Sequence, residues 1–140
     1  MSDPESGQSL VETILLGLLL LVPLVWALGV LADLHRTALA ASAAAREAGF
    51  EAATSPSLAE ANGAVERAVA QAFMDHGVDP AAAQVRWAAP AGLARGGTVE
   101  VSVNAPVTVL QAPLLGRVTG PSVWVRARHL ARIDPYRSRK

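Results

Sequence analysis

Thr13-Ile14-Leu15-Leu16-Gly17-Leu18-Leu19-Leu20-Leu21-Val22-Pro23-Leu24-Val25-Trp26-Ala27-Leu28-Gly29-Val30-Leu31-Ala32 contains no charged side chain. Read as a helix at about 1.5 Å per residue, it is roughly 30 Å long, the thickness of a bilayer's hydrocarbon core. The buried helix of a small soluble domain is usually shorter and keeps a polar face, and Ile14 to Val22 has none. The expectation is a membrane-spanning helix. Just before it stands Gly7-Gln8-Ser9-Leu10-Val11-Glu12. A carboxylate at the end of a membrane helix costs energy, which makes Glu12 a functional candidate. Its plainer roles are to mark the membrane edge or to sit favourably at the positive end of the helix. Gly7 lies five residues upstream of Glu12, after the polar stretch Met1 to Ser6.

Downstream, the helix has no reason to stop at Ala32. Asp33 to Ala40 continues without Gly or Pro, and Ala41 and Ala43 to Ala45 are strong helix formers. Leu31, Leu34, Ala38, Ala41, Ala45 and Ala48 fall at spacings of three and four, an apolar stripe for packing. The first stop is near Thr54-Ser55-Pro56, because proline disfavours helix in the residue before it. A helix from Gln8 to Ala53 would reach about 69 Å, half in lipid and half outside. Pro23 should kink or loosen it. Gly17 and Gly29 allow close approach of other helices, as small residues do in membrane bundles.

Gly-Gln-Ser-Leu-Val-Glu followed by a long apolar helix resembles a type IV pilin-like leader. The continuation Ala43-Ala44-Ala45-Arg46-Glu47-Ala48-Gly49 resembles the TadE-like minor pseudopilins of Flp/Tad pili. The resemblance covers the first helix strongly and the remainder by general layout. It implies cleavage by a prepilin peptidase between Gly7 and Gln8, removing a leader of residues 1–7 and leaving Glu12 as the fifth residue of the mature chain. It also implies assembly through Glu12, a pilin-like fold, and partnership with other pilins or pseudopilins and the Tad assembly platform. The expected location is the cytoplasmic membrane, single-pass, with the C-terminal domain outside and possible incorporation into a cell-surface pilus. Two features depart from the pattern. Ser2-Asp3-Pro4-Glu5-Ser6 is acidic where pilin leaders usually carry Lys or Arg. No Lys or Arg precedes the helix while Arg36 and Arg46 follow it, a bias that alone would place the C-terminal domain in the cytoplasm. A secretory signal peptide fits less well: it needs a basic n-region and an apolar run of only 7–15 residues, and Ala38-Leu39-Ala40 lies well beyond the run.

The chain has 140 residues, room for one membrane helix and one small domain. It has no cysteine, which excludes disulfides and thiolate metal sites. Its charges cancel overall but are unevenly spread. Through Asp79 there are ten acids against Arg36, Arg46 and Arg67, a net −7; after it there are nine bases against Glu100 and Asp134, a net +7. Such asymmetry favours head-to-tail contacts between copies or contact with an acidic surface.

Ser57-x-x-Glu60 reads as a capping box opening a second, amphipathic helix, with Leu58, Ala61, Val65, Ala68, Val69, Ala72 and Phe73 as its apolar stripe and Gly77 as its stop. Asp79-Pro80 makes a turn. Gln84 to Ala88 alternates as a strand. Thr98 to Val109 has the cleanest period-two pattern, with Val99, Val101, Val103, Ala105, Val107 and Val109 on one face. Pro106 suggests a strand end, bulge or edge. Gln111 to Pro121 reads as an apolar connection. Ser122 to Arg132 is the last strand, and it sets Val123, Val125, Ala127 and His129 on one face against Trp124, Arg126, Arg128 and Leu130. The fold class is therefore α+β: a long N-terminal transmembrane helix over 8–54, a second helix, and a small antiparallel sheet of about three strands. Residues 55–133 form the extracytoplasmic domain, and 134–140 a disordered tail.

No catalytic constellation appears. His35, His76 and His129 lie in three elements without metal-ligand spacing, and there is no Walker, Rossmann or nucleophile-elbow motif. His76 reads as a helix-end histidine favoured by the dipole. Ala91 to Gly97 is glycine-rich but reads as a hairpin loop. Arg126, Arg128 and Arg132, beside Trp124, form a candidate basic interaction face. An acidic subunit surface suits it better than nucleic acid in an exported domain. The expectation is a structural subunit, not an enzyme, needing no cofactor, metal, small-molecule substrate or nucleic acid. The alternative is an uncleaved single-pass membrane protein displaying a small binding domain.

Overall fold

The computed structural model describes residues 4–109 and 120–136, with side chains from Gln8 onward. The expected apolar connection over 111–121 therefore lies almost wholly outside the described residues, as do residues 1–3 of the leader and 137–140 of the tail. The elements are α1 (Pro4–Thr54), α2 (Leu58–Asp75), a 3-10 turn (Pro80–Ala82), β1 (Gln84–Ala88), β2 (Thr98–Thr108) and β3 (Ser122–Arg132). This is the expected α+β class. Two compact units divide at Asp33/Leu34, inside α1.

The first unit, residues 1–33, holds the apolar part of α1. The helix runs unbroken through Pro23 and extends upstream of Gln8, through Gly7, to Pro4.

The second unit, residues 34–140, takes in α1 from Leu34 onward. Its α1 segment buries Ala40, Ala41, Ala44, Ala45, Ala48 and Ala52, all at 1% exposure or less. Ala41, Ala45 and Ala48 of the expected stripe are buried, whereas Leu34 and Ala38 are half-buried, Leu31 is exposed, and the large Leu39 and Phe50 point outward. The reason is volume. β2 supplies β-branched valines at four of its five buried positions, so the helix brings its smallest residues to meet them. Gly49 marks a close approach of α1 to β3, where a Cβ would lie 3.0 Å from His129 Cδ2 and 3.3 Å from Ala131 Cβ.

Ser57 caps α2: its Oγ accepts from the Glu60 N–H at 3.2 Å. The Glu60 carboxylate accepts from the Ser57 hydroxyl at 3.3 Å, a variant of the capping box in which side chain meets side chain. The inward stripe is Ala61, Ala64, Val65, Val69, Ala72 and Phe73, while Ala68 is half-buried and Leu58 exposed. At the other end Gly77, at φ +66°, closes a Schellman motif. Its N–H donates to Met74 O and that of Val78 to Phe73 O, both at 2.9 Å.

The sheet has order β1-β2-β3, antiparallel throughout. Along β2 the residues Val99, Val101, Val103, Ala105 and Val107 are buried and their neighbours half-open. Pro106 is paired with Trp124 inside the β2–β3 ladder. The β1–β2 loop tucks Leu93 into the core, which Ile133 also joins, and Ile133 N–H donates to Gly97 O at 2.9 Å. Trp87 reaches from β1 to α2, its Nε1–H donating to Asn62 Oδ1 at 2.9 Å. Asp134 to Tyr136 turn back through a 2.8 Å bond from Tyr136 N–H to Asp134 Oδ1.

Candidate functional site

The first candidate lies on the apolar part of α1. Leu10, Val11, Ile14, Leu15, Leu16, Leu18, Leu19 and Leu20 are all between 57 and 66% exposed. No residue of the most apolar 18-residue window is buried. That separates this helix from the core helix of a soluble domain, which passes the same length test while hiding its side chains. An apolar surface this large needs lipid or protein against it. The helix is long and apolar enough to cross a membrane, and it fits a membrane anchor.

Glu12 is exposed among these apolar neighbours. Every basic side chain of the sequence lies at or beyond His35. Thr13 satisfies its hydroxyl within the helix, donating to Ser9 O at 2.9 Å. Gly7 and Gln8 both lie within α1. A Cβ built on Gly17 or Gly29 would meet nothing within 4 Å, so the room these glycines leave is open to another helix.

The second candidate is the outer face of the sheet. Cross-strand register sets Arg86 opposite Ser102, and Ser102 opposite Arg128. The neighbouring rows are Gln84, Asn104 and Arg126 on one side, then Ala88, Glu100 and Leu130 on the other, with Thr98 and Arg132 beyond. Arg126, Arg128 and Arg132 therefore share one exposed face, and Arg86 joins them from β1. Arg126 Nε–H donates to Asn104 Oδ1 at 3.0 Å, and Arg128 Nε lies 2.7 Å from Glu100 Oε1. Trp124 is 52% exposed on the same face. Four arginines against Glu100 give the face a net charge of +3.

The helices carry the opposite sign. A groove between α1 and α2 is lined by Glu47, Glu51, Arg67, Gln71, Met74 and Asp75, and a second hollow sharing Glu51 and Arg67 extends it to Glu60. Four acids against Arg67 give this groove a net −3.

The histidines do not converge. His35 is exposed on α1, and His129 lies against Gly49. His76 sits 2.8 Å from Ala72 O, so its Nδ1–H donates to a carbonyl of the last helical turn. Among the described residues no group of three or more His, Cys, Asp and Glu could hold a metal ion. Comparison with protein-family models, curated proteins and solved structures finds no match.

Proposed function

We propose that this chain is a membrane-anchored structural subunit, a TadE-like minor pseudopilin that primes or joins assembly of a Flp/Tad-type pilus. The observation that supports it most is the exposed, uncharged stretch of α1 with the Glu12 carboxylate at its N-terminal edge. In this reading the helix holds the subunit in the cytoplasmic membrane until an assembly machine extracts it, and then packs against helices of other subunits. A prepilin peptidase cuts between Gly7 and Gln8. Both residues are helical here, so cutting requires local unwinding, which glycine eases. The freed amine of Gln8 on a neighbouring subunit then meets Glu12. Two charges that are costly alone in an apolar bundle neutralise each other. The C-terminal domain lies outside the cytoplasm.

The test is Glu12→Gln. The variant should be processed, inserted and folded, yet fail to crosslink to pilus subunits. Leaving one member of a buried pair alone costs about 3–5 kcal/mol. Undiminished crosslinking of correctly processed Glu12→Gln refutes the assembly role. An uncleaved single-pass anchor is the second reading, favoured by the helix running unbroken through Gly7. The intact mass of the chain from its native membrane separates the two, since only the first loses residues 1–7. In the first reading Gly7→Val blocks that loss.

A further inference from the structure

The open sheet face and the α1–α2 groove have opposite net charge and matching minor charges. The face carries Arg86, Arg126, Arg128 and Arg132 around Glu100. The groove and its extension carry Glu47, Glu51, Glu60 and Asp75 around Arg67. We propose that the sheet face of one copy docks on the helical groove of a second copy, a head-to-tail contact between the folded domains.

Three observations select a second copy over other acidic partners. The first is the embedded reverse charge. Glu100 would repel a phosphate backbone or an anionic headgroup lying across the face, whereas the groove offers it Arg67. The second is spacing. Arg126 and Arg128, two residues apart on a strand, stand about 6.7 Å apart. Glu47 and Glu51, four apart on a helix, stand about 6 Å apart along its axis. The third is the apolar complement. Trp124 is half-exposed on the face, and Met74, 55% exposed, lines the groove. Arginine and tryptophan are residues on which protein interfaces most depend.

The two surfaces belong to different layers of the same unit, so the contact is not self-complementary. Its repetition builds an open row of copies unless the rotation closes a ring. Eleven residues each of β2 and β3 and five of β1 give about 440 Å² on each side, in the range of weak, transient interfaces. The contact is weak and salt-sensitive, and its rate of formation benefits from steering between opposite charges. It does not require cleavage at Gly7, so its failure would leave the reading of the N-terminal helix standing.

The absence of native cysteine makes the test direct. Full-length chains carrying Glu51→Cys are mixed in liposomes with chains carrying Arg128→Cys and treated with a bismaleimide spanning about 10 Å, since an Arg–Glu pair holds its Cα atoms too far apart for a disulfide. The mixed dimer should dominate both self-crosslinked dimers. Its yield should fall about tenfold when Arg126→Glu is added to the Arg128→Cys chain, and recover when Glu47→Arg is added to the partner. Raising salt to about 0.5 M should also lower it. Three results would each overturn the proposal: Arg128→Cys chains crosslinking mainly to one another, a mixed dimer indifferent to the charge reversals, or no mixed dimer while anionic vesicles capture the chain through Arg126 and Arg128.

Discussion

Val101 and Ser102 are adjacent in β2 but should respond very differently to aspartate. Val101 is 0% exposed and faces the helices, and its Cγ2 lies 3.8 Å from a Cβ built on Gly49. Val101→Asp loses the burial of an apolar side chain, about 2 kcal/mol. It also places a carboxyl group in the apolar core, where the half-buried imidazole of His129, opposite it across the β2–β3 pair, offsets only part of the cost of burial. Keeping such a group neutral at pH 7 means raising its pKa by about 3–5 units, or about 4–7 kcal/mol. The total, about 6–9 kcal/mol, is comparable to the whole stability of a domain this size, about 5–15 kcal/mol. Ser102 lies on the outer face between Arg86 and Arg128, its cross-strand neighbours. Aspartate there gains about 0.2–1 kcal/mol per opposite-charge pair and loses a similar amount in strand preference. Urea titration of the full chain in detergent, followed by near-ultraviolet circular dichroism, reads the difference. Ser102→Asp should keep its midpoint within about 1 M urea of the parent, while Val101→Asp should show no cooperative transition. Equal midpoints for the two variants would refute the inward assignment of Val101 and the register that surrounds Ser102 with arginines.

Gly49→Leu should destabilise the second unit by about 3 kcal/mol, because a Cβ alone already meets His129 Cδ2 at 3.0 Å; Gly49→Ala should change stability by less than about 1 kcal/mol, since its helix preference offsets the contact, and thermal denaturation would compare them. Gly77→Ala forces a side chain into φ +66° and should cost about 1–2 kcal/mol, measured as a lower urea midpoint with unchanged slope. Asn62→Ala removes the acceptor of the Trp87 indole N–H, an exposed bond worth about 1 kcal/mol, and Trp87→Phe should cost about 1 kcal/mol less in the Asn62→Ala background than in the parent, because the bond is already lost there and only the smaller ring remains to be felt; urea titration of the four chains would measure this.

The sequence by itself determined what depends on local periodicity. Twenty uncharged residues leave a helix no polar face, so the exposed apolar part of α1 was legible without coordinates. Alternation at period two fixed which β2 residues turn inward, because a strand's side chains alternate whatever it pairs with. Ser57 and Gly77 marked the ends of α2 for the same local reason, the chemistry of unsatisfied N–H and C=O groups. Glu12 stood out as a charge at an apolar boundary, and Arg126, Arg128 and Arg132 as alternate residues of one strand. Tertiary structure alone decided what depends on neighbours. The face of α1 that turns inward was chosen by the volume the valines leave, which favours Ala40, Ala44 and Ala52 over Leu31 and Leu34. Arg86 entered the basic face through the β1–β2 register, since five alternating residues define two faces but not which of them lies beside Arg128. The acidic groove likewise arises from pairing α1 with α2, which brings Glu47 and Asp75, 28 positions apart, to one surface. Local pattern sets the faces of each element; the packing of elements against one another decides which residues share a surface.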